Sequence, residues 1–140
     1  MPPAASSRIK AHVIRLKPGQ DLLAAIKEFA KEKHLKAASI LSAVGSLTRV
    51  TLRYANQPSG TTRDGHFEIV SLSGTLSEDS LHLHASVSDS TGATAGGHLT
   101  GENKVYTTVE LAIAEYEDYR FVREKDPAYG YEELAVKPRN

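Results

Sequence analysis

The sequence predicts an α+β domain, a mostly antiparallel β-sheet of six to seven strands with one main helix packed on it. Three observations lead there. Only one stretch, DLLAAIKEFAKEKH from Asp21 to His34, spaces its apolar side chains at helical intervals. From Ala38 onward every segment is instead a run of apolar and β-branched residues bounded by turn residues. The chain is 140 residues long without internal repeat or linker, which fits one domain closing one core.

Met1 to Ser7 is small, polar and proline-containing, so a disordered lead-in is expected over 1–7 and the domain over 8–136, with a short tail at 137–140. IKAHVIRL, Ile9 to Leu16, is rich in branched residues and stops at Pro18-Gly19, as a strand would. In the helix Leu22, Ile26, Phe29 and Ala30 share a face, while Lys27, Glu28, Lys31 and Glu32 fall largely on the other. Asp21 suits its start, and Lys33 with His34 suits its negative C-terminal end.

The strand runs then follow as AASILSAVGSL, RVTLRYA, HFEIVSLSGTL, LHLHASVS, ATAGGHL and VYTTVELAIAEY. Ile69 to Leu76 and Val105 to Ile113 carry small or apolar residues at both parities, the pattern of a sheet covered on both faces, here by a neighbouring subunit. Asn56 to Gly65, NQPSGTTRDG, reads as a mobile or ligand-facing loop. KDPAYGYEELAV implies a turn at Asp126-Pro127 and one last short strand.

Seventeen basic and 17 acidic residues cancel, so no overall field draws in nucleic acid or an anionic membrane. The absence of cysteine excludes disulfides, thiolate nucleophiles and Cys-type zinc sites, and leaves His, Asp and Glu as strong metal ligands. MPPAASSRIK has neither a basic nor an apolar targeting region, and no apolar run is long enough to span a bilayer; a cytoplasmic protein is expected.

The chemistry concentrates in LHLHASVSDSTGATAGGHL, which holds three of the six histidines. His82 and His84 are two apart on a strand and leave the same face. His98 joins them only if the intervening hairpin has the right parity. With Ser90 to Gly92 as a three-residue loop, Asp89 faces Ala93, His84 faces His98 and all three rings point one way. A two-residue loop at Ser90-Thr91 puts Leu83 opposite His98 and turns the third ring away, and a bulge at Gly96-Gly97 shifts the register by one. Three neutral imidazoles on one rigid face suit Zn²⁺ or another divalent metal, with a fourth position left for water or substrate. Gly96 and Gly97 leave room for a ligand to approach the backbone. His12, His34 and His66 read as structural or solvated side chains. Strand serines and GATAGG lack the context of a nucleophile or a phosphate loop.

Taken together, RLKPGQDL, ASILSAVGSLTRVTLR, HFEIVSLSGTLSEDSLHLHASVSDSTGATAGGHL, VYTTVEL and GYEEL resemble the PPC domain, the plant and prokaryote conserved domain, in its stand-alone form. The likeness runs from about Arg8 to about Val136. It implies an antiparallel α+β fold assembled as a homotrimer, similar in architecture to acetolactate decarboxylase, whose zinc is held by three histidines. The family's histidine positions fall on His82, His84 and His98. Plant members carry an AT-hook that this chain lacks, and they usually lack these histidines.

A catalytic zinc needs a proton-moving group nearby, and Glu68, between Phe67 and Ile69 in HFEIVSLSG, is the candidate; the alternative is a buried ion pair or a trimer contact. Arg53, in VTLRYA, is its candidate partner or a holder of an anionic substrate group, and is equally an exposed strand arginine. Two functional readings follow: a trimeric zinc protein, a lyase or hydrolase acting on or binding a small polar or anionic molecule, or a DNA-associated regulatory module in which the histidines are incidental.

Overall fold

Strand length decides the architecture. A computed structural model describes residues 6–140. In chain order they form β1 (Ile9–Leu16), α1 (Leu22–Glu32), β2 (Ala38–Arg53), β3 (Thr61–Leu76), β4 (Leu81–Ser88), β5 (Thr94–Leu99), β6 (Val105–Tyr116), β7 (Tyr119–Lys125) and β8 (Glu132–Pro138). At 16 residues, β2 is too long for one partner on each side. Its first part pairs with β6, β3 runs along its other edge, and its last residues, Leu52 and Arg53, pair with Leu99 and His98 of β5. The six-stranded antiparallel sheet, ordered β1-β6-β2-β3-β4-β5, therefore curls until β5 meets β2 and closes a ring of four strands at one end. Register shifts between Leu47 and Arg49 on β2 and between Ile69 and Ser71 on β3 supply bends of the kind that such curling needs.

The inner face is the core. Leu47, Val50 and Leu52 of β2, Phe67 and Ile69 of β3, Leu83 and Val87 of β4, and Val109, Leu111 and Ile113 of β6 bury together with Leu22, Ile26 and Ala30 of α1. The helix starts where expected: Asp21 is extended and its side chain accepts from the backbone N–H of Ala24 at 2.9 Å. It ends with His34 in the left-handed region, φ 51°, while its imidazole meets Glu78 at 3.3 Å.

Several expectations need correction. The main sheet has six strands, within the six to seven expected, but AASILSAVGSL and RVTLRYA are one bent strand, and among the described residues YRFVREK, too rich in charge to be read as a strand, forms β7 and pairs with β8 as a separate ribbon. The loop expected at Asn56–Gly65 is shorter: β3 begins at Thr61, since Thr61 to Asp64 pair with Leu52 to Arg49 and hide their polarity on an exposed strand end. The tail expected at 137–140 is largely structured, with Lys137 and Pro138 in β8 and Arg139 donating to the carbonyls of Tyr116 and Tyr119 and to Glu115. Of the lead-in expected over 1–7, residues 1–5 lie outside the described residues, whereas Ser7 accepts from the N–H of Asp118 through its hydroxyl.

One buried polar side chain holds three elements together. Asn103 accepts from the N–H of Thr51 at 2.8 Å through Oδ1 and donates through Nδ2 to the carbonyls of Thr100 and Gly101. Its own N–H goes to Asp21 Oδ2, tying the helix start to the approach of β6. Asn103 and Thr51 are both buried, so the bond between them has no water to replace it. Replacing Asn103 by Ala is expected to cost about 1–3 kcal/mol in urea unfolding, since the buried Thr51 N–H loses its acceptor. A loss under about 0.5 kcal/mol would contradict this assignment.

Candidate metal centre

The β4–β5 hairpin is closed by a three-residue loop. Asp89 N–H donates to the Ala93 carbonyl at 2.9 Å, Gly92 N–H donates to the Asp89 carbonyl at 3.0 Å, and Gly92 takes the left-handed φ of 84° that ends such a turn. Asp89 locks it, its Oδ1 accepting from Thr91 N–H, Thr91 Oγ1 and Ala93 N–H. The same bonds hold the Asp89 carboxyl below its ordinary value, so the lock is ionised at neutral pH. From Ser88 opposite Thr94 the register runs unbroken to His84 opposite His98.

His82, His84 and His98 consequently leave one face, with ring centroids 5.0, 5.4 and 5.7 Å apart. One nitrogen from each lies within 4.8 Å of the other two. Three ligands of a tetrahedral zinc stand about 3.4 Å apart at ordinary Zn–N lengths of about 2.05 Å, a gap that small ring rotations close. Two glycines seat the strands. A Cβ at Gly74, φ 143°, would stand 2.0 Å from the His82 carbonyl, and one at Gly97 would stand 2.6 Å from the Arg53 carbonyl. The space at Gly97 is therefore taken by β2 and not open to a ligand, which corrects the sequence reading of the Gly-Gly pair.

Burial is the main cause that holds His82 and His98 below the ordinary imidazole value; His84 and Arg123 push His82 the same way against Glu133, and Arg53 pushes His98. Both rings are therefore neutral at pH 7, the form that offers a lone pair to a metal.

Arg53 is the register partner of His98, and its Nη1 donates to the Gln57 carbonyl at 3.4 Å. It lines a cleft of about 800 Å³ together with His82 and His98. Glu68 is not brought there: it is exposed on the outer face, in register with Ser88, four residues and about 13 Å along β4 from His84. Its expected setting between buried neighbours fails because Phe67 and Ile69 point inward while Glu68 points out. Of the remaining histidines, His12 pairs with Glu115 at 3.0 Å and His66 stacks against Tyr106 at 4.6 Å. The sequence reading missed the far wall of the cleft, formed by Arg123, Tyr131, Glu132 and Glu133 of the β7–β8 ribbon. The Asp126-Pro127 turn and the last short strand expected after it signalled half of that ribbon, and nothing local linked it to the histidines.

A family model described as the Plants and Prokaryotes Conserved (PCC) domain matches residues 4–117, which include all three histidines. The chain belongs to this family. PCC and PPC abbreviate the same domain. Its relatives include a bifunctional protein GlmU of Synechococcus sp., 44% identical over 99% of this chain, which spans 21% of that protein. A solved structure of a hypothetical protein from Salmonella cholerae-suis superposes with a TM-score of 0.96 at 40% identity, covering 97% of this chain and 99% of the other. A protein from Archaeoglobus fulgidus described as metal-containing superposes at 0.79 with 28% identity, over 95% and 99% of the two chains. A candidate DNA-binding protein from Bacteroides thetaiotaomicron does so at 0.77 with 25% identity, over 92% and 96%. The AT-hook motif nuclear-localized protein 13 of Arabidopsis thaliana is 34% identical over 75% of this chain, which spans 26% of it. The β7–β8 ribbon of this PCC protein lies beyond the residues the family model spans.

In the metal-free PCC protein, His82 and His98 are expected to titrate below about 6.5 in ring-proton NMR. The unfolded chain then takes up protons first, so acidification from the ordinary imidazole value through the depressed one removes stability. Values at or above 6.5 for both rings would contradict the stated desolvation.

Proposed function

We propose that this PCC-domain protein is a homotrimer with a divalent metal centre, zinc by preference, at His82, His84 and His98, acting on or binding a small polar molecule. The observation that carries the reading is the convergence of three imidazole nitrogens within 4.8 Å on one side of a closed ring of strands. An all-imidazole donor set without thiolate suits zinc and keeps an open position, the arrangement of catalytic rather than structural sites. Bound there, zinc supplies Lewis acidity and an activated water, which serves lyase or hydrolase chemistry alike. His82, His84 and His98 hold it, and Arg53, beside His98, orients an anionic group of the ligand. The metal-containing description of the Archaeoglobus relative supports the assignment.

Self-association is supported by the outer face of β1, β2 and β3, where Val13 is 79% exposed, Leu41 63%, Val44 57% and Val70 59%. This is the second covered face that the strand pattern calls for; three-fold stoichiometry is what the family resemblance implies. Glu68 shares that face with Val70, so we place it in the contact between subunits rather than beside its own chain's histidines. The second reading, a DNA-associated module, is favoured by the Bacteroides and Arabidopsis relatives' names. The zero formal charge weighs against it. We place the protein in the cytoplasm. Among the described residues no helix is long and apolar enough to cross a membrane.

Protein purified without a His-tag is expected to carry about one zinc per chain by elemental analysis, and the His82→Ala/His84→Ala variant almost none. Equal zinc in the two removes the metal reading. Sedimentation is expected to show a trimer that Val44→Asp/Val70→Asp reduces to monomer; an unchanged assembly removes that face from the interface. DNA titration at two salt concentrations decides the second reading, which requires binding that weakens as salt rises.

A further inference from the structure

The histidine cleft has one wall from the main sheet and one from the β7–β8 ribbon, and each wall carries an arginine. Arg53 stands on the first wall as the register partner of His98. Arg123 stands on the second, and its Nη2 donates at 3.3 Å to Thr75 Oγ1, the residue in register with His82. The two guanidinium groups thus flank the histidines from the neighbouring strands on either side. Elsewhere Arg49 holds Asp64 and Glu102, Arg63 faces Asp89, Arg8 holds Asp118 and Arg139 holds Glu115, while Arg15 bonds the Thr108 hydroxyl. Among the described residues neither Arg53 nor Arg123 has a carboxylate within 4.0 Å, and both line the same cleft of about 800 Å³.

We propose that the β7–β8 ribbon makes this centre a receptor for a small carboxylate, gripped between Arg53 and Arg123. The proposal rests on the metal reading for its charge balance. Glu132 and Glu133 on the same rim offset the two arginines, and a divalent ion at the histidines then leaves the cleft with an excess of two positive charges. A planar carboxylate presents two oxygens to the fork of a guanidinium, and a small dicarboxylate offers one such group to each arginine while its two negative charges match that excess. Inorganic phosphate carries its charge on a single centre and cannot offer a separate group to each arginine. The cleft has the size of a small-molecule site and not of a macromolecular surface.

The ribbon is seated firmly enough to define a wall. Phe121 N–H donates to the Lys36 carbonyl at 2.8 Å, and Asp126 N–H donates to the Tyr131 carbonyl at 2.7 Å to close the tip. Arg139 fastens the far end to Glu115 and to two carbonyls. The histidines fall within residues 4–117 and the ribbon does not. The ribbon therefore supplies the wall of the centre that carries Arg123.

Isothermal titration of the zinc-loaded full chain with malonate tests this, with zinc content measured before and after. Wild type is expected to bind malonate, and Arg53→Gln and Arg123→Gln are each expected to weaken it at least ten-fold while keeping zinc. Arg120→Gln, on the same ribbon but outside the cleft, is expected to change nothing. Malonate affinity unchanged in Arg123→Gln, absence of binding to zinc-retaining wild type, or tighter binding of inorganic phosphate than of malonate would each overturn the proposal. Should wild type hold no zinc, the metal reading fails by itself, and the same malonate comparison on the metal-free variants still decides the role of the arginines.

Discussion

Everything at the centre depends on the parity of one hairpin. A strand alternates its side chains with a period of two, so a single residue more or less between Ser88 and Thr94 would send His98 into the core side of the sheet and leave His82 and His84 as an isolated pair. Asp89 prevents that slip. Its carboxylate takes three donors from the turn at once, and Gly92 supplies the left-handed residue that the three-residue loop requires. A surface turn with no reactive group of its own therefore sets the geometry of a site several residues away along both strands.

The second constraint is close packing of backbone on backbone. Gly74 lies across from His82 on the neighbouring strand and Gly97 directly precedes His98, and at both the missing side chain is replaced by a carbonyl of the adjoining strand. Without them β3 and β2 would stand further from β4 and β5, the ring of strands would open, and Thr75 and Arg53 would no longer sit next to the rings. Glycine here does not make room for a ligand; it lets four strands come near enough for side chains of different strands to share a ligand.

What the sequence made legible follows from range. The helix, its Asp21 cap, the strand runs and the hairpin parity are all consequences of residues within about a dozen positions, and periodicity or turn chemistry reads them directly. Arg123 was not readable, because its place beside His82 depends on β7 crossing back to Thr75, 48 residues earlier in the chain. Glu68 was misread for a related reason. Neighbours that are apolar in sequence imply burial only if they share a face, and on a strand Phe67 and Ile69 take the face that Glu68 does not.

The outer surface joins these threads. Histidines, Glu68 and Val70 all project from the same side of the sheet, whereas the inner side is filled by α1 and the aliphatic core. The inner side is filled by the core, so the exposed apolar residues and the three histidines share the other. An apolar face that associates must exclude water from its own area, and the histidine cleft begins three to five residues along β3 from Val70. Association at that face would bring a neighbour's surface toward the open side of the cleft and lower the dielectric around the arginines and histidines. Charges that in a lone chain are screened by solvent would then act on a ligand with much greater force, because Coulomb energy scales inversely with the local dielectric.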